Sequence, residues 1–274
     1  MDTIIGLGAA GCRIADAFKK YSQYDIYKID TGLQGDKCFS LEVKPSPEDY
    51  EKSVPNLSNF FSEIEGEIVF IVGGGGKISG ASLQILKQLT RHTINLMYIK
   101  PYEKSLTKTA KLQNRVTFHV LQEYARSGLF KNIYLIDNAV IEKLIGDISI
   151  LDYNNKLNEL IVNSFHAYNS FLHLEPVLQN VEQPKEVCRI NTIGIYDIKE
   201  NSETLFYPLE NVNYKCYYYA VPEAVLKSDG KLFTTIKEKV AEEQSSYQIH
   251  STKHETTYCY LIAKTNFVQT LDII

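Results

Sequence analysis

Apolar residues in the first half of the chain fall into short runs, separated by stretches in which apolar positions recur every three or four residues. The runs TIIGL (3–7), YDIYKID (24–30), EIVFIVG (67–73), INLMYIK (94–100) and NIYLID (132–137) have strand length and β-branched or aromatic content. Helical spacing is carried by 11–20, a short stretch at 56–64, then 80–92, 108–127 and 139–146. Strand alternating with helix predicts a parallel sheet covered on both faces over roughly the first 150 residues.

The stretch NNKLNELIVNSFHAYNSFL (154–172) sets Leu157, Leu160, Ile161, Ser164, Phe165 and Tyr168 on one face of a long helix with Asn154 as its N-cap. Such a helix can be a spine between two lobes. After the Pro-punctuated LEPVLQNVEQPKEV (174–187) the style changes: CRINTIGIYDI, LFYPL, YKCYYYAV and ETTYCYLIAKT read as strands, with helices near 221–227 and 232–243. The expected class is α/β, with an N-terminal Rossmann-like parallel-sheet domain (1–153), a central helix (154–172), an acidic loop (173–187) and a smaller C-terminal domain (188–274). The last of these is expected to hold a mixed or antiparallel sheet.

Composition narrows the function classes. With 44% apolar and 23% charged residues and a net charge of −4 over 274 residues, the chain reads as an ordinary globular protein with no general electrostatic reason to bind nucleic acid. Cys12, Cys38, Cys188, Cys216 and Cys259 are scattered and odd in number, so neither a disulfide framework nor a zinc site is expected and a reducing cytoplasm is the simplest setting. No apolar run approaches the ~18–20 residues of a membrane span, and a strand pattern follows Met1 at once, so neither a span nor a signal peptide is expected. The histidines are dispersed; His250 and His254 lie four apart in a loop-to-strand region, so no metal pair is expected.

Two glycine loops carry the chemistry. In GLGAAG (6–11), Gly6-x-Gly8-x-x-Gly11 joins a strand to a helix, and Asp30 ends the next strand about 20 residues on, which taken alone is a dinucleotide fingerprint favouring NAD. A second loop, VFIVGGGGKISGAS (69–82), has Gly73 to Gly76 in succession and Gly80 closing the turn. Successive glycines cost backbone entropy on ordering, so four in a row imply a backbone that wraps a ligand. The Walker pattern is not met, because Ile78 follows Lys77 where Ser or Thr would stand.

Taken in order, these residues resemble the tubulin/FtsZ family. GGGKISGA (74–81) is similar to the signature G-G-G-T-G-[ST]-G, departing at Lys77 and Ile78, while GLGAAGCRI (6–14) matches the first phosphate loop and IDTGLQ (29–34) the bacterial NTDAQ. IDNAVIEKL (136–144) is similar to the tubulin DNEA segment and KLNELI (156–161) to the start of the family's central helix. QNVEQPKEV (179–187) resembles the acidic loop N-x-[DE]-x-x-[DE], one residue longer between the acids and with Pro184 between them. After KPYEKS (100–105), where the family carries a sugar-contacting Glu and a phosphate-contacting Arg, Glu103 is displaced and the first arginine is Arg115. The resemblance covers roughly residues 1–190, and the C-terminal lobe matches in general style.

The resemblance implies a binder of GTP or GDP with Mg²⁺. Its phosphates would meet Gly8, Ala9, Ala10, Gly11 and Cys12 of the first loop and Gly74, Gly75, Gly76, Lys77, Ser79 and Gly80 of the second. Asn138 and Asn158 would read ribose or base and Tyr153 would stack on the base, although Tyr153 sits one residue beyond the family spacing. Asn180, Glu182 and Glu186 would complete hydrolysis on a neighbouring subunit, making an assembly-dependent GTPase that polymerises head-to-tail, with a cargo or adaptor protein as a further partner. Two other readings stand beside it: a degenerate relative that binds nucleotide or partners without hydrolysis, and an NAD(P)-dependent oxidoreductase.

Overall fold

The computed structural model describes residues 2–243 and 245–271. The chain divides into two compact units, Met1–Val162 with Val268–Ile274, and Asn163–Phe267.

The first unit is built on β1 (Asp2–Leu7), β2 (Tyr24–Thr31), β3 (Cys38–Leu41), β4 (Ile68–Gly73), β5 (Ile94–Lys100) and β6 (Asn132–Asp137). They lie in the order β3-β2-β1-β4-β5-β6, and every neighbouring pair is parallel. Helices α1 (Gly8–Ala17), α2 (Pro47–Lys52), α3 (Ser82–Lys87), α4 (Lys108–Arg126), α5 (Asn138–Ile145) and the start of α6 (Tyr153–His173) alternate with the strands. Strands covered on both faces need continuous apolar runs, and Ile68–Val72 and Ile94–Ile99 are buried at every position. The expected α/β class and the parallel N-terminal sheet are therefore found.

Local differences have local reasons. Residues 56–64 form turns rather than a helix, with Leu57, Phe61 and Ile64 buried. The helix in this region is α2, which the Pro-containing stretch concealed; Pro47 opens it and the Ser46 hydroxyl accepts from the Asp49 N–H at 3.1 Å. The helix expected over 80–92 shrinks to α3, preceded by a 3₁₀ turn over Lys77–Ala81. β3 escapes the pattern because it is four residues long and lies at the end of the strand order.

The second unit contains the rest of α6, β7 (Leu178–Asn180), β8 (Ile190–Asp197), β9 (Ser202–Leu205), β10 (Tyr214–Pro222), α7 (Glu223–Ser228), α8 (Gly230–Glu243), β11 (Ser246–Thr252) and β12 (Tyr258–Thr265). Its strands run β8-β12-β10-β11-β7 with β9 beside β8; β10 and β11 are parallel and the other pairs antiparallel, a mixed sheet as expected. The strand read in LFYPL lies earlier, at β9, while β7 and β11 lie outside the strands the sequence predicts. YKCYYYAV forms β10 and is buried more deeply than a partly covered strand: Tyr217 and Tyr219 pack with Tyr196, Ile236 and Val240, while Tyr218 stacks on Phe171. Glu203 sits between Lys215 and Lys239, each at 2.9 Å, and accepts a hydrogen bond from Tyr217. Burial works to raise its pKa, but the hydrogen bonds from Tyr217, Lys215 and Lys239 hold it at about 2. Among the described residues no helix is long and apolar enough to cross a membrane.

Candidate functional site

β1 and β4 are neighbours, Thr3 to Leu7 paired with Ile68 to Val72, and the chain moves away from them in opposite directions, to β2 and β3 on one side and β5 and β6 on the other. In open α/β sheets such a reversal of strand order leaves a crevice at the carboxyl ends of the two strands, where ligands bind. Both glycine loops leave from those two ends. They abut: a Cβ added to Gly73 would lie 3.1 Å from the Ala10 Cβ, and one added to Gly8 would lie 2.6 Å from the Ile78 Cγ2.

The first loop is the opening turn of α1 itself, because the helix begins at Gly8 rather than at Gly11. Gly8 adopts φ +71°, which favours glycine, while a Cβ on Gly6 or Gly11 would strike backbone at 2.4 or 2.5 Å. Leu7 stands at the N-cap with no side-chain cap, so the first-turn N–H groups of Gly8, Ala9 and Ala10 lack a capping acceptor, and Ala9 and Ala10 are exposed. That is a cradle for an anion. Cys12 faces inward, its thiol donating to the Gly6 carbonyl at 3.3 Å, and burial pushes its pKa up to about 12. It packs the loop from below. Asp30 accepts from the N–H of Thr31 at 2.8 Å.

The second loop is supported by side chains from elsewhere. Gly74 rests on Tyr98 of β5 and Asn114 of α4, where a Cβ would fall 2.0 Å from the tyrosine oxygen and 1.9 Å from Asn114 Oδ1. Tyr98 donates to Asn114 Oδ1 at 2.5 Å. Gly75 takes φ +80°, and Gly76 and Lys77 are exposed. Ser79 is buried; its hydroxyl donates to the Gly76 carbonyl at 2.6 Å and accepts from Gln113 Nε2 at 3.0 Å. Gly80 lies against the Pro47 carbonyl, which a Cβ would approach to 2.2 Å. Ser79 and Gly80 thus hold the turn, while Gly75, Gly76 and Lys77 form its outer part. Tyr98, Asn114 and Gln113 carry no signal in the sequence, because their role rests on contacts made only in the folded chain.

Beyond the loops, Asp137 caps α5 by accepting from the Ala139 N–H at 2.9 Å, and pairs with Lys100 at 2.8 Å. Next to it, Asn138 Oδ1 is buried with no hydrogen-bond partner among the described residues. A buried acceptor of this kind calls for a donor that a ligand could supply. Tyr153 opens α6 half-buried, and burial together with the nearby Glu142 carboxylate raises its pKa. Asn158 is half-buried one turn on, beside Glu159, which meets Lys156 at 3.1 Å. Arg115 is exposed on α4 and lines a cleft with residues 269–271. Among the described residues no group of three or more His, Cys, Asp or Glu could hold a metal ion by itself.

Within the second unit, Asn180 ends the edge strand β7, opposite Tyr247 of β11. The Glu182 N–H donates to the Ser246 hydroxyl at 2.9 Å, so the acidic segment is tethered to β11. Asn180 and Glu182 line an open cleft with Lys237 and Tyr247. Glu186 is exposed in the turn that leads to β8, and all three candidate side chains face solvent.

No protein-family model and no curated protein matches the sequence. Solved structures do match in shape. TubZ from Bacillus thuringiensis serovar israelensis, solved as a GTPγS-form protofilament, superposes with a TM-score of 0.73 at 14% identity over 96% of this chain and 87% of its own. CetZ1 from Haloferax volcanii, a GDP-bound monomer, gives 0.69 at 16% identity over 98% and 95%. An empty FtsZ dimer from M. jannaschii gives 0.69 at 14% over 96% and 88%. The chain therefore has the fold of the tubulin/FtsZ superfamily.

Proposed function

We propose that the chain is a divergent tubulin/FtsZ-like protein that binds a guanine nucleotide across its two glycine loops and assembles head-to-tail. The observation that carries this reading is the meeting of the uncapped N-terminus of α1 with the second glycine loop at the sheet's switch point, where Gly73 abuts Ala10 and Ile78 abuts Gly8. One loop alone would serve a dinucleotide; two facing loops suit a chain of phosphates. TubZ as a GTPγS-form protofilament and CetZ1 as a GDP-bound monomer support guanine and self-association.

On this reading residues 1–153 are the nucleotide domain, 154–172 the central helix, 173–187 the acidic segment and 188–274 the second domain. The first-turn N–H groups of α1 and the backbone of 74–76 hold the phosphates, Lys77 adds a point charge, and Asn138 Oδ1 accepts from sugar or base. Tyr153 and Asn158 flank the base. Mg²⁺, when bound, would offset phosphate charge, with oxygen ligands drawn largely from phosphate and water. Glu182, fixed through its own N–H, orients water on the neighbour's nucleotide, with Asn180 beside it and Glu186 further along. The setting is cytoplasmic.

A thermal-shift comparison of GTP with NADH tests the ligand: stabilisation by GTP alone supports the reading, and stabilisation by NADH alone returns the chain to the oxidoreductases. Pelleting with GTP and Mg²⁺ tests assembly. Glu182→Ala and Glu186→Ala are each expected to slow phosphate release at fixed polymer mass. Unchanged rates would leave a protein that binds nucleotide without using these acids.

A further inference from the structure

The apolar side chains on the outward face of α4 have no part in the nucleotide reading, although the cleft between α4 and α2 is lined also by Ser79 and Gly80 of the second loop. Leu112, Val116 and Tyr124 expose 60%, 49% and 40% of their surface, and with half-buried Val120 they recur every fourth residue, forming one apolar ridge. A cleft runs along each side of it. The one toward α2, about 340 Å³, has Gln113 and Thr117 on the α4 wall and Glu48 and Glu51 opposite. The other, about 400 Å³, has Arg115 and His119 on the α4 wall and Gln269–Leu271 opposite. Val116 and Val120 border both. Among the described residues Glu48, Glu51 and Arg115 make no ion pair, and His119 has only a 3.9 Å approach to Glu123.

An apolar ridge with an acidic edge on one side and a basic edge on the other asks for a partner surface with an apolar centre and the charges reversed. This surface supplies its own complement. A two-fold axis running along the ridge brings the acidic edge of one copy against the basic edge of the other and lays each ridge residue on its counterpart. A two-fold axis crossing the ridge would set acid against acid. We propose that α4 pairs with α4 of a second copy, side by side and parallel, through Leu112, Val116, Val120 and Tyr124. The contact is isologous, whereas head-to-tail assembly is heterologous, so the two operate independently.

Sedimentation of the full chain without nucleotide tests this apart from the proposed GTP site. The wild type is expected to form a concentration-dependent dimer, and Val116→Asp to weaken it about tenfold or more, since 1.4 kcal/mol already gives that factor. Glu51→Lys and Arg115→Glu should each weaken the dimer, and the double variant should restore it, a readout that survives misfolding of Val116→Asp. Under mild oxidation Leu112→Cys should cross-link to itself, because parallel pairing puts it opposite its own copy. A wild type that stays monomeric at all soluble concentrations, a dimer indifferent to both charge changes, or a double variant weaker than either single one overturns the proposal. A monomer that captures another protein through this ridge overturns it too.

Discussion

Gly8 begins a ten-residue helix, whereas Gly76 introduces a five-residue 3₁₀ turn, and the two loops they belong to are held by different forces. In the first, residues close in sequence make the loop: Gly6 and Gly11 allow strand and helix to touch and the helix supplies the free N–H groups, with one distant contact where Gly11 passes the Ile71 carbonyl of β4. In the second, the glycines drape over Tyr98 and Asn114 and are tied by Ser79 to Gln113, partners contributed by β5 and α4. A loop made by a helix end is specified locally. A loop of four glycines has little conformational preference of its own, and distant side chains must select its shape.

Substitutions can break this contrast. The largest effect is expected for Gly11→Ala, whose Cβ would meet the Ile71 carbonyl at 2.5 Å in a strand that cannot retreat, with a loss of about 3 kcal/mol by urea denaturation. Asn114→Ala should cost about 2 kcal/mol by removing the acceptor under Gly74, and should also reduce the thermal shift given by GTP. Ser79→Ala is expected to cost about 1 kcal/mol while weakening GTP stabilisation out of proportion to that loss, because the tie to Gly76 goes with it. Gly76→Ala meets open space and should leave the melting temperature unchanged. If Asn114→Ala leaves nucleotide binding intact, the second loop does not need its scaffold and the contrast fails.

The smallest effect near neutrality concerns Cys12. Its pKa is raised from 9.0 to about 12, first by burial and then by Asp30. The folded chain therefore keeps a proton that the unfolded chain loses, so stability is unaffected below about 9 and declines as pH rises toward 12. Native Cys12 should resist alkylation at mildly alkaline pH and react once the chain unfolds. Rapid labelling of the folded protein would show that the first loop opens.

Much of the first unit could be read from sequence because its strands are covered on both faces and so must be nearly continuously apolar, as Ile68–Val72 is throughout and Ile94–Ile99 is apart from Asn95. The short edge strands escaped. β3 and β7 have four and three residues, and a segment that pairs on one side only needs little apolar content. For the same reason Asn180 reads as part of a loop in the sequence, yet its place in β7 and the tether of Glu182 to Ser246 come from β11, more than 60 residues later. Tyr98 and Asn114 carried no signal. An isolated Tyr in a strand and Asn in a helix are unremarkable until the fold lays Gly74 over them.

Order and spacing along the chain were enough to establish alternating strands and helices, two glycine loops at strand ends, and a second region of different character. Those properties depend on local sterics and on the burial of apolar runs, both of which are written into neighbouring residues. The meeting of the two loops was decided only when β1 and β4 paired at the switch point. So were the floor beneath Gly74 and the charged edges flanking the α4 ridge. Each of these joins residues far apart in sequence, and only the register of the sheet and the packing of helices on it bring them within reach.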